Sequence, residues 1–467
     1  MMPRAHTNIV GRAGERGQTM ILVVFSMLAL LAMAAIAIDV TTLYVARHEA
    51  QQAADAAALA GAKTFVTSGF TSGYVTATTA QTLASNAAQT AGQQLSISGS
   101  PITSSEITVV PDTSDQLNPY VSVTIARTSL QTYFARIWGV STTGVRAKAT
   151  AEAYNPSGQN APIQLSAVKP FLLPNCKPNQ LANTNNCTGA NVYFIDPTTG
   201  SLANSGSFIG QPIRLQLPSN GQAGNGLAYP TGAYAAAISS GMFSFFPIDI
   251  PIGPPTPLCP SSSLTSCSLV GNGPYFDNIA CSNPTQLSCG QTVGGTSTIP
   301  VDTRVASGTN WSQLQSRVDQ GSQCLIHATS STSSSPLSAC SPGLYEQDCF
   351  KLPSTSNNPI LISPGINNPD PSLSGATYIS RSDSVVTVPL FDGSNLCEGA
   401  NNSNQACNYT AEIVGFLQIG ITRDMPGGTA TIEGVILNAS GCNPNASSPA
   451  VTGSTLSSIP VRLIQAP

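Results

Sequence analysis

Charge is scarce in this sequence. Asp, Glu, Lys and Arg make up 9% of its 467 residues, and the net charge is −4. A surface for polyanions needs clustered Lys and Arg, so this balance argues against a nucleic-acid partner. Histidine is scarcer still. His6, His48 and His327 are the three present, too scattered to build a metal centre. No Gly-x-x-x-x-Gly-Lys-Ser/Thr occurs, which removes the P-loop route to a nucleotide. No His-Glu-x-x-His, Gly-x-Ser-x-Gly or Cys-x-x-Cys occurs either. A serine hydrolase triad beyond residue 155 would have to use His327, whose neighbours CLIHATSS carry no supporting signature. Asp302, Asp319, Asp348, Asp370, Asp383, Asp392 and Asp424 show no spacing that predicts paired catalytic carboxylates. The expectation is a protein that is not an enzyme, with no cofactor and no metal.

Cysteine is absent from the first 175 residues, and all 12 lie beyond them. An even number confined to one region reads as a disulfide framework in an oxidising compartment. Cys176 with Cys187, Cys259 with Cys267, Cys281 with Cys289, and Cys397 with Cys407 each bracket a short turn-rich loop. Local pairing within these four couples is expected. Spacing leaves Cys324, Cys340, Cys349 and Cys442 open. Residues 155–467 are also crowded with Gly, Pro, Ser, Thr and Asn, including the low-complexity run SSTSSS at 330–335. That composition predicts a β-rich region with long polar loops. Strands are expected at 191–195, 212–217, 384–390, 412–421, 429–437 and 459–464.

One long hydrophobic run is present. Residues 18–38 contain no charge. At about 1.5 Å rise per residue, a helix of this length spans the roughly 30 Å hydrocarbon core. The helical pattern continues past Asp39 with no Ala-x-Ala site opening into a loop, which argues against a cleaved signal peptide. Residues 1–17 read as a short cytoplasmic tail. Arg4, Arg12 and Arg16 precede the run, and Arg47 alone is basic in the turns after it. The positive-inside bias therefore places the N-terminus in the cytoplasm and the rest outside. Asp39 marks the membrane boundary.

Beyond the run, Leu43, Ala46, Ala50, Ala53, Ala57 and Ala60 recur at spacings of three and four. A seam of small residues lets another helix approach closely. Ala80, Ala84, Ala87, Ala91 and Leu95 repeat the spacing after a turn-rich break at 66–73. A helical hairpin follows, with the seam used within the chain in preference to another protein. Asp55 is read as structural, paired with His48 or Arg47 or capping the second helix. From Glu106 the period changes to two. Residues 106–110, 120–127 and 144–154 read as strands, and 130–138 (LQTYFARIW) as a short amphipathic helix with Tyr133, Phe134, Ile137 and Trp138 available for burial.

These residues carry a resemblance. Arg16-Gly17-Gln18, the apolar run, Asp39-Val40, Tyr44, Arg47, Gln51 and residues 53–60 (AADAAALA) resemble the N-terminal segment of the Flp pilus-assembly TadE/TadG-like family, over about residues 16–63. The strand pattern at 385–390 and 409–421 resembles the C-terminal strands of large family members. Some TadG-like proteins carry an Asp-x-Ser-x-Ser metal motif, which this sequence lacks. The resemblance implies a single-pass bacterial inner-membrane component of a Tad/Flp-type pilus assembly or secretion apparatus. Its partners would be the lipid bilayer and other pilus-assembly or secretion-system proteins. Two other readings compete. One is a pilin-like minor subunit or surface adhesin. It requires processing near Gly17, and Leu22 stands where pilin-type sequences carry Glu. The other is an anchored extracytoplasmic hydrolase or carbohydrate-binding protein. The expected fold is α+β: a tail at 1–17, a transmembrane helix at 18–38, a helical hairpin packed on a small sheet at 39–154, and a disulfide-bonded β-rich periplasmic or extracellular region at 155–467.

Overall fold

The computed structural model describes residues 15–175, 193–203, 207–217, 242–252, 259, 264–268, 274–294, 299, 311–329, 340–341, 343–353, 358–373, 375–391, 410–425, 431–453 and 457–464. The chain mixes helix and sheet, with one long apolar N-terminal helix and four disulfides among these residues. It divides into two compact units. The first takes residues up to 57 with Ala88–Val109 and Ser122–Ala149. The second takes Ala58–Ala87, Val110–Val121 and Thr150–Pro467.

Helix α1 runs unbroken over Glu15–Thr67. Its first part has Leu, Ile, Val, Met and Phe on every side, and its later part is alanine-rich, so propensity favours helix throughout. A 3₁₀ turn at Phe70–Ser72 follows it, flanked by Gly69 and Gly73. Both adopt left-handed backbone, φ 74° and 82°, which glycine takes without a Cβ clash. Helix α2 (Ala77–Gln93) follows. Three strands lie side by side: β1 (Ile107–Asp112), β2 (Tyr120–Gln131) and β3 (Thr142–Ala153), in the order β3-β2-β1, the first unit taking their residues 107–109, 122–131 and 142–149. Their alternation is legible in burial. Val121, Val123 and Ile125 are buried along β2, and Val145, Ala147 and Ala149 along β3, while Arg146 and Lys148 are exposed.

The segment after β2 differs from the expectation. There is no helix over 130–138. β2 continues to Gln131, and Ala135–Trp138 makes a single 3₁₀ turn closed by Gly139 at φ 87°. Tyr133 and Ile137, expected to be buried, are 66% and 76% exposed. The β-branched and alternating residues before Gln131 extend the strand, leaving too few positions for a stable helix before the glycine.

The second unit is built on a mixed sheet. Its strands are β4 (Phe171–Pro174), β5 (Pro212–Gln216), β6 (Met242–Ser244), β7 (Phe246–Pro247), β8 (Thr292–Gly294), β9 (Val385–Phe391), β10 (Thr410–Met425) and β11 (Thr431–Gly441). The order is β7-β4-β9-β10-β11-β5-β6, with β8 paired to β10. β10 and β11 form its long antiparallel centre, Met425 opposite Thr431. The period of two sends side chains to separate cores. Val386, Val388, Leu390, Leu417, Ile419 and Ile421 enter one, while Ala411, Phe416 and Phe391 enter the other. A twelfth strand, β12 (Val461–Ile464), pairs with residues 150–153 of β3.

The first core is covered by helices that the β-rich expectation lacked: α3 (Pro274–Ala280) and α4 (Trp311–Leu325). Leu314, Val318 and Leu325 supply the buried stripe of α4. Gly321, which lowers helix propensity, is there for packing. A Cβ on it would lie 3.0 Å from Ile279 of α3.

Disulfide pairing is corrected. Cys259 bonds to Cys281 and not to Cys267. Cys267 bonds to Cys324, and Cys289 bonds to Cys442 and not to Cys281. Among the described residues the one local bridge is Cys340–Cys349. Cys267, Cys281 and Cys324 sit in one small core with Phe276 and Ala280, so tertiary packing selects the partners, not loop length. Cys176, Cys187, Cys397 and Cys407 lie outside the described residues.

Candidate functional site

The exposed surface of α1 is its chief chemical feature. Large apolar side chains from Met20 (73% exposed) to Ile38 (47%) face outward. The helix is long and apolar enough to cross a membrane by length and composition.

Asp39 ends the uncharged run, with Val40 and Tyr44 still exposed beyond it, and its carboxylate is engaged within the first unit. Tyr133 N–H donates to Oδ1 at 2.9 Å. Phe134 N–H donates to Oδ2 at 3.0 Å, and Ala135 N–H to Oδ2 at 2.6 Å. The carboxylate therefore caps the 3₁₀ turn at Ala135–Trp138 from a distant part of the chain. Burial acts to raise its pKa, but the three backbone donors outweigh it and hold it below the ordinary carboxylate value. Asp39 does more than mark a boundary: it fastens a loop.

The small-residue seam is covered within the chain. Ala46, Ala50, Ala53 and Ala57 are buried, and Leu43 and Ala60 half-buried. On α2 the buried row is Ala80, Ala84, Ala88 and Gly92, a strict spacing of four. Ala87 and Ala91 are half-buried and Leu95 is exposed. Gly92 permits the closest approach: a Cβ there would stand 2.8 Å from Ile107 and 3.7 Å from Ala57. Asp55 accepts a hydrogen bond from Gln51 Nε2 at 2.8 Å and His48 contacts Gln52 at 3.1 Å, in place of the expected choice between His48, Arg47 and a cap on the second helix.

Sequence reasoning missed Arg127. Its guanidinium is bidentate with Glu106, Nε to Oε1 at 2.6 Å and Nη2 to Oε2 at 2.9 Å. It also donates to the carbonyls of Ile97, Ser100 and Pro101 at 2.7, 3.1 and 2.7 Å. One buried side chain thus ties β2 to the connection after α2, and its hydrogen bonds hold the Glu106 carboxyl down at about 2. The only sequence signal was a charge at an inward-facing position of an alternating strand.

The second unit holds four polar centres. His327, in left-handed backbone at φ 59°, sets Nε2 3.2 Å from Asp383 Oδ2. Lys169 is buried and donates to the carbonyl of Cys281 at 2.7 Å. Burial pushes it down to about 7, against the opposing pull of Asp383. Asp424 is buried on β10 and accepts from Gln323 of α4 at 2.9 Å. Burial first, and the charge of Asp319 second, push it upward. Asp348 is saturated by Gly365 N–H, Asn368 and Ser382. Among the described residues, Asp424 Oδ1 and Asp319 Oδ1 are buried with no hydrogen-bond partner, and no group of three metal-ligating side chains forms.

The turn after α1 is fixed by a buried amide. Asn438 on β11 donates to the Val66 carbonyl at 3.0 Å and to Gln418 at 2.9 Å, and accepts from Ser72 at 3.2 Å. Asn155 donates to the Thr71 carbonyl at 2.9 Å.

No curated protein and no solved structure matches the chain. A family model does match, over the segment that holds the exposed apolar band, Asp39 and the alanine seam. Residues 17–64 match the family described as "Putative Flp pilus-assembly TadE/G-like", which links this segment to Flp pilus assembly.

Proposed function

We propose that the protein is a membrane-anchored, non-catalytic scaffold of a Tad/Flp-type pilus assembly or secretion apparatus. The family match over residues 17–64 carries this reading. In it α1 crosses the inner membrane over 18–38 with its N-terminus in the cytoplasm. α1 and α2 form a hairpin on the small sheet, and the second unit projects into the periplasm, where it meets other components of the apparatus. The buried alanine rows support an intrachain use of the seam, because those residues have no surface left for a partner. Disulfides joining distant parts of the second unit suit an oxidising compartment. The Asp348 carboxylate supports a structural role for its centre, since both its oxygens accept hydrogen bonds inside the fold.

The test is mass spectrometry of the N-terminus in membrane and sheared surface fractions. An intact N-terminus confined to membranes is the expected result. A chain beginning at Gln18 in the sheared fibre overturns the scaffold reading and makes the protein a pilus subunit.

A further inference from the structure

The loop between β2 and β3 turns apolar side chains outward. Tyr133 is 66% exposed, Ile137 76% and Val140 48%. Its backbone, by contrast, is closed on itself. The N–H groups of Tyr133, Phe134 and Ala135 are taken by Asp39. Ile137 N–H donates to the Phe134 carbonyl, Gly139 N–H to Arg136, and Val140 N–H to Ala135, at 3.0, 3.0 and 3.2 Å. Thr132 Oγ1 donates to the Val140 carbonyl and pins the ends together. Apolar side chains outside and satisfied donors inside are what a surface needs to enter a medium poor in water.

Position identifies the medium. The loop hangs on Asp39, and Asp39 directly follows Ile38, the last residue of the uncharged run at 18–38, while Val40, Tyr44 and Val45 carry exposed apolar side chains just past it. The loop is therefore level with the end of the span, where headgroups meet acyl chains. Its charge agrees. Residues 132–140 contain the exposed Arg136 and no acidic residue, and the Asp39 carboxylate that holds the loop is enclosed by backbone donors. Tyrosine is enriched at this depth, and arginine can reach lipid phosphates from it.

We propose that residues 132–140 are a second membrane contact: an interfacial loop whose Tyr133, Ile137 and Val140 insert at the headgroup–acyl boundary while Arg136 meets lipid phosphate. The occupant is the bilayer that surrounds α1, continuous with the lipid-facing band of that helix. A helix held by the membrane at its span and again through a loop on Asp39 has its rotation and depth fixed. The proposal rests on the membrane-anchored reading of the chain.

The experiment uses the full chain in vesicles of phosphatidylethanolamine and phosphatidylglycerol, with Trp138→Phe and Trp311→Phe as background. Ile137→Trp reports on the loop and Phe25→Trp on the span. Each is quenched by lipids brominated at shallow or deep acyl carbons, and by aqueous iodide. The expected result is that Phe25→Trp responds to deep bromines. Ile137→Trp responds at least two-fold more to shallow than to deep bromines and is shielded from iodide. Adding Asp39→Ala should release the loop and restore iodide quenching. If Phe25→Trp is quenched by bromolipid but Ile137→Trp only by iodide, the loop proposal fails and the anchor stands. Shielding of position 137 from both quenchers would mean that protein covers it, which also overturns the proposal. If Phe25→Trp escapes bromolipid, the anchor reading fails first. Protease resistance of each variant, matched to the parent, excludes misfolding as the cause.

Discussion

Replacing Arg127 should loosen the first unit more than any single surface change. Its side chain is 8% exposed and makes a bidentate pair with Glu106 and three bonds to carbonyls. Arg127→Ala takes the guanidinium from those carbonyls and from the Glu106 carboxylate, which keeps only the Thr103 donors. Breaking a buried pair from one side costs about 3–5 kcal/mol. The carboxyl gives an independent figure. Holding Glu106 at about 2 against an ordinary 4.5 corresponds to at most ~3 kcal/mol. Its side chain keeps 18% exposure, so screening reduces this to about 1–2 kcal/mol for the charge alone. Arg127→Ala should therefore destabilise by about 3 kcal/mol and Glu106→Gln by about 1–2 kcal/mol. The Glu106 contribution is complete above its unfolded value of about 4.5 and disappears as pH falls toward about 2. Amide exchange by mass spectrometry in nanodiscs reads this locally, whereas one global melt would mix two units. Peptides covering 95–107 and 122–131 should exchange on the order of 100-fold faster in Arg127→Ala, about 3 kcal/mol at 1.4 kcal/mol per decade. Unchanged exchange, or full rescue by Arg127→Lys, which lacks the planar fork, would refute the account.

Three further outcomes follow from the second unit. The buried Lys169 is held at about 7 against 10.5, so the unfolded chain binds more protons between those values and stability should rise with pH across them. In Lys169→Met the urea midpoint should lose that rise between pH 6.5 and 8.5; equal slopes for both chains would count against it. Cys289–Cys442 closes a separation of 153 residues and Cys340–Cys349 one of 9. Chain entropy assigns them about 5 and about 3 kcal/mol. Removing the former should lower the denaturation midpoint more, and non-reducing peptide mapping must recover these pairs and not Cys281–Cys289. Asn438→Ala deprives the Val66 carbonyl of its donor and should cost about 1–3 kcal/mol, with faster exchange confined to residues 66–74; protection there as in the parent would remove Asn438 from its role.

Much of the fold was legible because its signals are local. The apolar run needed only length. β1 to β3 and the central strands β9 to β11 announced themselves by alternation, with ends shifted by a few residues. The helices α3 and α4 did not. Their apolar positions are sparse, and Gly321 reads as a breaker until Ile279 is known to press against it. The cysteine partners were hidden for the same kind of reason. Loop closure favours neighbours, yet Cys267 and Cys324 meet because both belong to the core around Phe276. On α2 the buried row follows a spacing of four, which a mixed three-and-four pattern could not single out.

The polar residues were legible as types and not as roles. Asp39 stands at the end of an apolar run, where any carboxylate would mark the limit of the hydrocarbon. Nothing nearby in sequence shows that its partners are the backbone donors of residues 133–135, because backbone donors have no side-chain signature. The aromatic cluster after β2 failed in the complementary way. Tyr133 and Ile137 were assigned to a protein core because apolar side chains with polar neighbours ordinarily have one. That inference assumes two environments, core and water. A chain with a membrane span has a third, and a segment fastened to the end of that span has access to it. The pairing of Asp39 with the loop is what converts an apparent mistake of burial into a statement about which environment the loop meets.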